Sequence, residues 1–119
     1  MPKRTVLIVD DHPSFRATAR AMLEVEGYEV VGEAEDGASA VSAVEELRPE
    51  IVLLDVQLPD IDGFEVTTRL QALNGARPQV VLTSSRDGSD FGTLVERSAA
   101  LGFIPKSELC GDTLAALLR

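Results

Sequence analysis

The stretch IVLLDVQLPD, residues 51–60, decides the fold. Four apolar residues run directly into an aspartate, and a turn-prone segment follows. A run this dense in Ile, Val and Leu reads as a strand covered on both faces, the pattern of a parallel sheet. Ending that strand on Asp55 has a physical consequence. A buried carboxylate without a partner is costly, so Asp55 must sit at a strand tip, beside water or a cation.

Comparable runs recur at TVLIVD (5–10), YEVVGEA (28–34), QVVLTS (79–84) and GFIPK (102–106). Amphipathic stretches separate them. Pro13 suits a first helical position; Phe15, Ala19, Met22 and Leu23 share a face, and Gly27 closes that helix. Asp36 leads into a second helix with Ala40, Val41, Val44 and Leu47 on one face, stopped by Pro49. Asp62 and Gly63 introduce FEVTTRLQAL (64–73), closed by Asn74 and Gly75. TLVERSAAL (93–101) and DTLAALLR (112–119) supply the fourth and fifth helices. Gly88 and Gly92 would each cost roughly 1 kcal/mol inside a helix, so the fourth is predicted to start near Gly92, after an extended, mobile loop over 87–91. Five such βα units predict an α/β fold: right-handed crossovers, an open parallel sheet and helices on both faces.

The 119 residues suit one domain, 1–119, with one core. The net charge of −9 and the dispersed Lys and Arg argue against direct nucleic-acid binding, which needs a basic stripe. Cys110 is the only cysteine, which excludes an internal disulfide framework and a Cys-rich metal site and predicts a reducing, cytoplasmic setting. No apolar run approaches the length of a signal peptide core or a membrane span.

Ligands of open parallel sheets bind outside the carboxyl ends of the strands. Those ends carry Asp10 and Asp11, Asp55, Thr83 and Ser84, and Lys106. Crowded carboxylates repel one another, and a divalent cation relieves the repulsion. Oxygen ligands favour Mg²⁺, with Mn²⁺ as the alternative. Mg²⁺ keeps waters and takes phosphate oxygens, so the expected substrate is a phosphoryl group. Asp55 would be its nucleophile, with Lys106 and a hydroxyl on the phosphoryl oxygens. His12 reads as a polar loop or cap residue, Asp60 and Asp62 as turn and N-cap residues, and Cys110 as a capping-region side chain.

The segments VLIVDDHPSFR, IVLLDVQLPDIDGFEV, VVLTSS and GFIPK, in this order and spacing, resemble the signature segments of bacterial response regulator receiver domains. The DDHPSFR form is most similar to NarL/LuxR-type receivers. The resemblance implies a CheY-like, flavodoxin-like (βα)5 three-layer sandwich with strand order 2-1-3-4-5. It implies Asp55 as phosphoacceptor, Asp11 as a direct Mg²⁺ ligand, Asp10 as a ligand acting through water, and Gln57 as donor of a backbone carbonyl to the metal. Lys106 matches the lysine that pairs with the phosphoryl group, and Phe103 the aromatic switch. Spacing back from Lys106 selects Ser84 as the switch hydroxyl; spacing forward from Pro78 selects Thr83. Ser84 is preferred, with Thr83 then expected to point to the other face of the strand. Ser107 stands after the lysine, where many receivers have proline.

The implied partners are a histidine kinase and, through the surface of helix 4, strand 5 and helix 5, a second copy or a downstream protein. The implied catalysis is self-phosphotransfer and autodephosphorylation only. Two alternatives stand beside this reading: a phosphorylation-independent, degenerate receiver, and a phosphohydrolase of the haloacid-dehalogenase type. Gln57 argues against the second, because those enzymes place an aspartate two residues after the nucleophile. The start of the chain is also compatible with a receiver that forms part of a longer DNA-binding regulator.

Overall fold

The computed structural model describes residues 3–73, 75, 77–85, 91 and 93–118. Strands β1 (Thr5–Val9), β2 (Glu29–Ala34), β3 (Ile51–Asp55), β4 (Gln79–Ser84) and β5 (Gly102–Pro105) alternate with helices α1 (Pro13–Val25), α2 (Gly37–Leu47), α3 (Gly63–Gln71), α4 (Thr93–Arg97) and α5 (Gly111–Leu118). All strand pairings are parallel, in the order β2-β1-β3-β4-β5. The three densest apolar runs are the three interior strands. Val6 to Val9, Ile51 to Asp55 and Val80 to Ser84 are all buried, whereas the edge strands β2 and β5 are mostly half-exposed.

Alternation along each strand sorts the core into two layers. Val6, Ile8, Ile51, Leu53, Val81 and Ile104 face Ala19 and Leu23 of α1 and Leu114 of α5. Leu7, Val9, Val52, Leu54, Val80 and Leu82 face Ala40 and Val44 of α2 and Val66 and Leu70 of α3. Each such fully buried aliphatic side chain stabilises the fold by about 1.5–3 kcal/mol.

Local chemistry sets the element ends. Gly27, at φ +92°, ends α1: Tyr28 N–H donates to the Leu23 carbonyl at 2.9 Å and Gly27 N–H to that of Glu24 at 3.2 Å. Asp36 and Asp62 cap α2 and α3, accepting from the N–H groups of Ser39 and Glu65 at 2.8 Å. Helix α2 stops at Leu47, since a residue before proline is disfavoured in the right-handed helical region, and Arg48 forms a left-handed C-cap (φ 49°) whose N–H donates to the Val44 carbonyl at 2.9 Å. Leu47 itself, expected on the core face, is 41% exposed.

Several boundaries differ from expectation. Helix α3 ends at Gln71 rather than residue 73, because the next N–H groups tighten to i−3 carbonyls. Helix α4 ends at Arg97 rather than Leu101. There the Ser98 hydroxyl donates to the Val95 carbonyl at 2.7 Å and accepts from Ala100 N–H, offering the backbone a non-helical alternative before β5. Strands β1 and β5 stop one residue short, before Asp10 and Lys106. Residues 87–90 of the predicted mobile loop lie outside the described residues, as do Asn74 and Arg119.

Candidate functional site

Asp10, Asp55, Thr83 and Lys106 continue the alternation of Ile8, Leu53, Val81 and Ile104, so all four rise from the α1/α5 layer at the carboxyl edge of the sheet. Asp10 and Asp55 are buried. Lys106, first residue of a 3₁₀ turn after β5, reaches both: its Nζ lies 2.6 Å from Asp10 Oδ2 and 3.2 Å from Asp55 Oδ2. The Asp10 contact is an ion pair rather than an aligned hydrogen bond. The Phe15 ring stands 4.4 Å from the same ammonium. Asp11, one residue on, is exposed and joins from the rim.

Backbone donors orient the carboxylates. Asp55 Oδ1 accepts from Gln57 N–H at 3.0 Å, and Asp10 Oδ1 from His12 N–H at 2.8 Å. Helix α3 begins hard against the end of β3: Gly63 N–H donates to the Val56 carbonyl at 2.7 Å. A Cβ on Gly63 would lie 2.7 Å from the Asp55 carbonyl oxygen, so only glycine permits this approach.

The two buried carboxylates are driven in opposite directions. Burial raises Asp55, the neighbouring Asp10 charge adds to it, and Gln57 N–H and Lys106 only partly offset the rise. Burial also pushes Asp10 upward, but Lys106 and the two His12 hydrogen bonds outweigh it and hold its carboxyl below the ordinary range.

Ligand atoms of Asp10, Asp11, His12 and Asp55 all lie within 4.8 Å of one another. Three of the four are carboxylates, a donor set suited to a hard divalent cation, and the site lacks the thiolates that would favour zinc. Two buried acids sharing one lysine leave negative charge for such an ion to neutralise. The residues therefore fit Mg²⁺ or Mn²⁺.

The strand register puts Thr83, not Ser84, beside Asp55. Thr83 pairs directly with Asp55, while Ser84 pairs with Pro105 and continues the alternation of Val80 and Leu82 on the opposite layer. Thr83 Oγ1 is buried, without a hydrogen-bond partner among the described residues. Phe103 packs into the α2/α3 layer, its ring 5.4 Å from Phe91, which in turn meets Phe64 at 5.9 Å.

Three residues acquire contacts the sequence reading did not foresee. His12 occupies the cap position of α1 but makes no side-chain cap; its Nδ1 lies 2.9 Å from Asp10 Oδ1 and 3.2 Å from Asp11 Oδ1. Adjacency to the paired aspartates was the available signal. Asp60 reaches across to cap α2, accepting from Gly37 N–H at 2.8 Å and Ala38 N–H at 3.0 Å, which ties the loop after Asp55 to a second helix. Arg16 donates to the Asp10 backbone carbonyl at 2.6 Å. The latter two contacts span elements and leave no mark on local sequence.

Comparison with known proteins agrees with this geometry. Residues 6–117 match the family described as response regulator receiver domain. The virulence transcription regulator BvgA of Bordetella pertussis is 40% identical over 111 residues, covering 93% of this chain and 53% of BvgA. A LuxR-family two-component response regulator from Aurantimonas sp. SI85-9A1 superposes with a TM-score of 0.85 at 30% identity, over 98% of this chain and 86% of that one. A CheY-like receiver domain from Methylobacillus flagellatus has a TM-score of 0.86 at 23% identity, over 98% and 97%, a likeness of fold. The chain spans about half the length of the curated relatives it matches. Among the described residues no helix is long and apolar enough to cross a membrane. The five-stranded order, the acidic pocket and these matches lead to one conclusion: the chain belongs to the response regulator receiver domains of two-component systems, with its relatives among the NarL/LuxR-type regulators.

Proposed function

We propose that this receiver accepts a phosphoryl group on Asp55 from the phosphohistidine of a partner kinase, with Mg²⁺ at the acidic pocket, and passes the signal on by a change in binding surface. The observation that carries the proposal is the convergence of Asp10, Asp11, Asp55 and Lys106 at one strand edge. A carboxylate oxygen of Asp55 attacks phosphorus, the P–N bond breaks, and the imidazole leaves with the electron pair. Bound Mg²⁺ would supply charge neutralisation to the phosphoryl oxygens, held by Asp10, Asp11, Asp55 and the Gln57 backbone carbonyl. Lys106 already spans Asp10 and Asp55, so its ammonium is placed to exchange a carboxylate for a phosphoryl oxygen. Thr83, whose buried hydroxyl stands beside Asp55 with no hydrogen-bond partner among the described residues, takes the switch role in place of Ser84.

Phe103 and its aromatic neighbours would transmit the change to the surface of α4, β5 and α5, where Leu94 and Leu101 are exposed. A second copy or a downstream protein would read it there. The chemistry is limited to self-phosphotransfer and slow self-dephosphorylation, in a cytoplasmic setting, and the domain itself binds neither nucleic acid nor membrane.

The test is intact-mass measurement after incubation with Mg²⁺ and acetyl phosphate, beside Asp55→Asn. One added phosphoryl group in the wild type alone, abolished by EDTA, is expected. An equal gain in Asp55→Asn refutes Asp55 as acceptor. No gain in either protein, with no Mg²⁺ or beryllofluoride binding, selects the phosphorylation-independent reading.

A further inference from the structure

Arg16 has no part in the chemistry proposed above, yet its side chain is only 16% exposed and its guanidinium ties three elements together. Its Nη1 donates to the Asp10 main-chain carbonyl at 2.6 Å, and its Nε to Glu33 Oε1 on β2 at 2.9 Å. Glu33 Oε2 is in turn held by Arg20 Nε at 2.8 Å. At Asp10 the β1 strand has ended, so the side chain supplies a donor the ladder no longer gives. Asp10 N–H meanwhile donates to the Ala34 carbonyl at 3.0 Å. Asp10 is thus anchored to β2 on its amide side directly, and on its carbonyl side through Arg16 and Glu33.

That carbonyl belongs to the peptide joining Asp10 to Asp11, whose plane sets where the Asp11 side chain departs. Asp11 has little else to aim it. Among the described residues its carboxylate meets only the His12 ring, at 3.2 Å. We propose that Arg16 is a positioning residue for the metal site: clamped to Glu33, it holds the Asp10–Asp11 peptide so that both carboxylates converge on Asp55. The proposal rests on the reading that this cluster holds a divalent cation.

Arginine is required by geometry. The planar fork serves the carbonyl and the carboxylate at once, whereas a lysine ammonium on a flexible stem cannot hold both acceptors in that fixed arrangement. The sign of the effect separates positioning from bulk electrostatics. Removing a positive charge near a cation site strengthens cation binding by Coulomb's law alone, whereas loss of positioning weakens it.

The experiment measures Mn²⁺ affinity by electron paramagnetic resonance of the free ion, for wild type, Arg16→Ala, Arg16→Lys and Arg20→Ala, with urea unfolding in EDTA to verify the fold of each. Both Arg16 variants should bind Mn²⁺ roughly tenfold more weakly, the low end of losses seen when partners outside the ligand shell are removed. Arg20→Ala, which leaves the Asp10 link in place, should bind as the wild type does. Wild-type affinity in Arg16→Lys, tighter binding in Arg16→Ala, or an equal loss in Arg20→Ala overturns the proposal. If Arg16→Ala does not fold, Arg16→Lys decides. Wild type that binds no more Mn²⁺ than Asp55→Asn marks a failure of the metal-site reading itself, and the positioning role falls with it.

Discussion

Replacing Lys106 with methionine removes the ammonium and keeps most of the stem. The ammonium sits 2.6 Å from one buried carboxylate and 3.2 Å from another, with its side chain 14% exposed. Truncating one partner of a buried ion pair typically costs about 3–5 kcal/mol, because the remaining charge is stranded. The cost has a ceiling here, since a stranded carboxylate can take up a proton. At pH 7, about three pH units above an ordinary aspartate, protonation costs about 4 kcal/mol. The expected loss in EDTA at neutral pH is therefore about 3–4 kcal/mol, read from urea unfolding. Saturating Mg²⁺ should return more stability to the variant than it adds to the wild type, because in the wild type the ion meets carboxylates already partly neutralised by Lys106. At a hundred times Kd, binding to the folded state alone is worth about 2.7 kcal/mol. The pH dependence has a definite sign. In the variant, Asp10 and Asp55 hold protons more tightly folded than unfolded, so the penalty is full above the folded pKa values and vanishes as pH falls below about 4. The gap between the proteins should narrow on acidification. Equal stability in EDTA at pH 7, or a gap that does not change with pH, would refute the view that Lys106 neutralises a buried acid pair.

Further tests probe the surroundings. Gly63→Ala forces a Cβ within 2.7–2.9 Å of the Asp55 and Val56 backbone and should destabilise by about 1–3 kcal/mol in urea, while slowing Mg²⁺-dependent mass gain on Asp55. Thr83→Val replaces a buried hydroxyl that has no partner among the described residues; it should raise metal-free stability by about 1 kcal/mol and abolish the beryllofluoride-induced change in amide exchange at β5, whereas a stability loss would show that the hydroxyl is satisfied. Glu33 is held below the ordinary carboxylate range first by Arg20 and then by Arg16, despite some desolvation. Its contribution is fully present above about pH 4.5 and lost as pH falls through the lowered folded value, so Arg20→Ala should flatten the acid side of the metal-free stability profile.

The sequence by itself determined the layout of this protein. Runs without alternation at 6–9, 51–55 and 80–84 became the three interior strands, because only a strand covered on both faces can bury every side chain. Pro13, Asp36, Asp62 and Gly27 marked helix ends through contacts made within a few residues, which is why they were legible. The acids at the tips of β1 and β3 and the lysine after β5 were legible too, since strand ends of a parallel sheet share one edge. Tertiary structure alone decided which hydroxyl faces Asp55. That depends on a register between β3 and β4 set by two separate strands, and a shift of one residue exchanges Thr83 for Ser84. It also decided the opposite displacement of the two buried acids, the cap that Asp60 makes on α2 and the hold of Arg16 on Asp10. Each arises from groups far apart or on different elements, brought together by packing, and no local pattern of residues records such an approach.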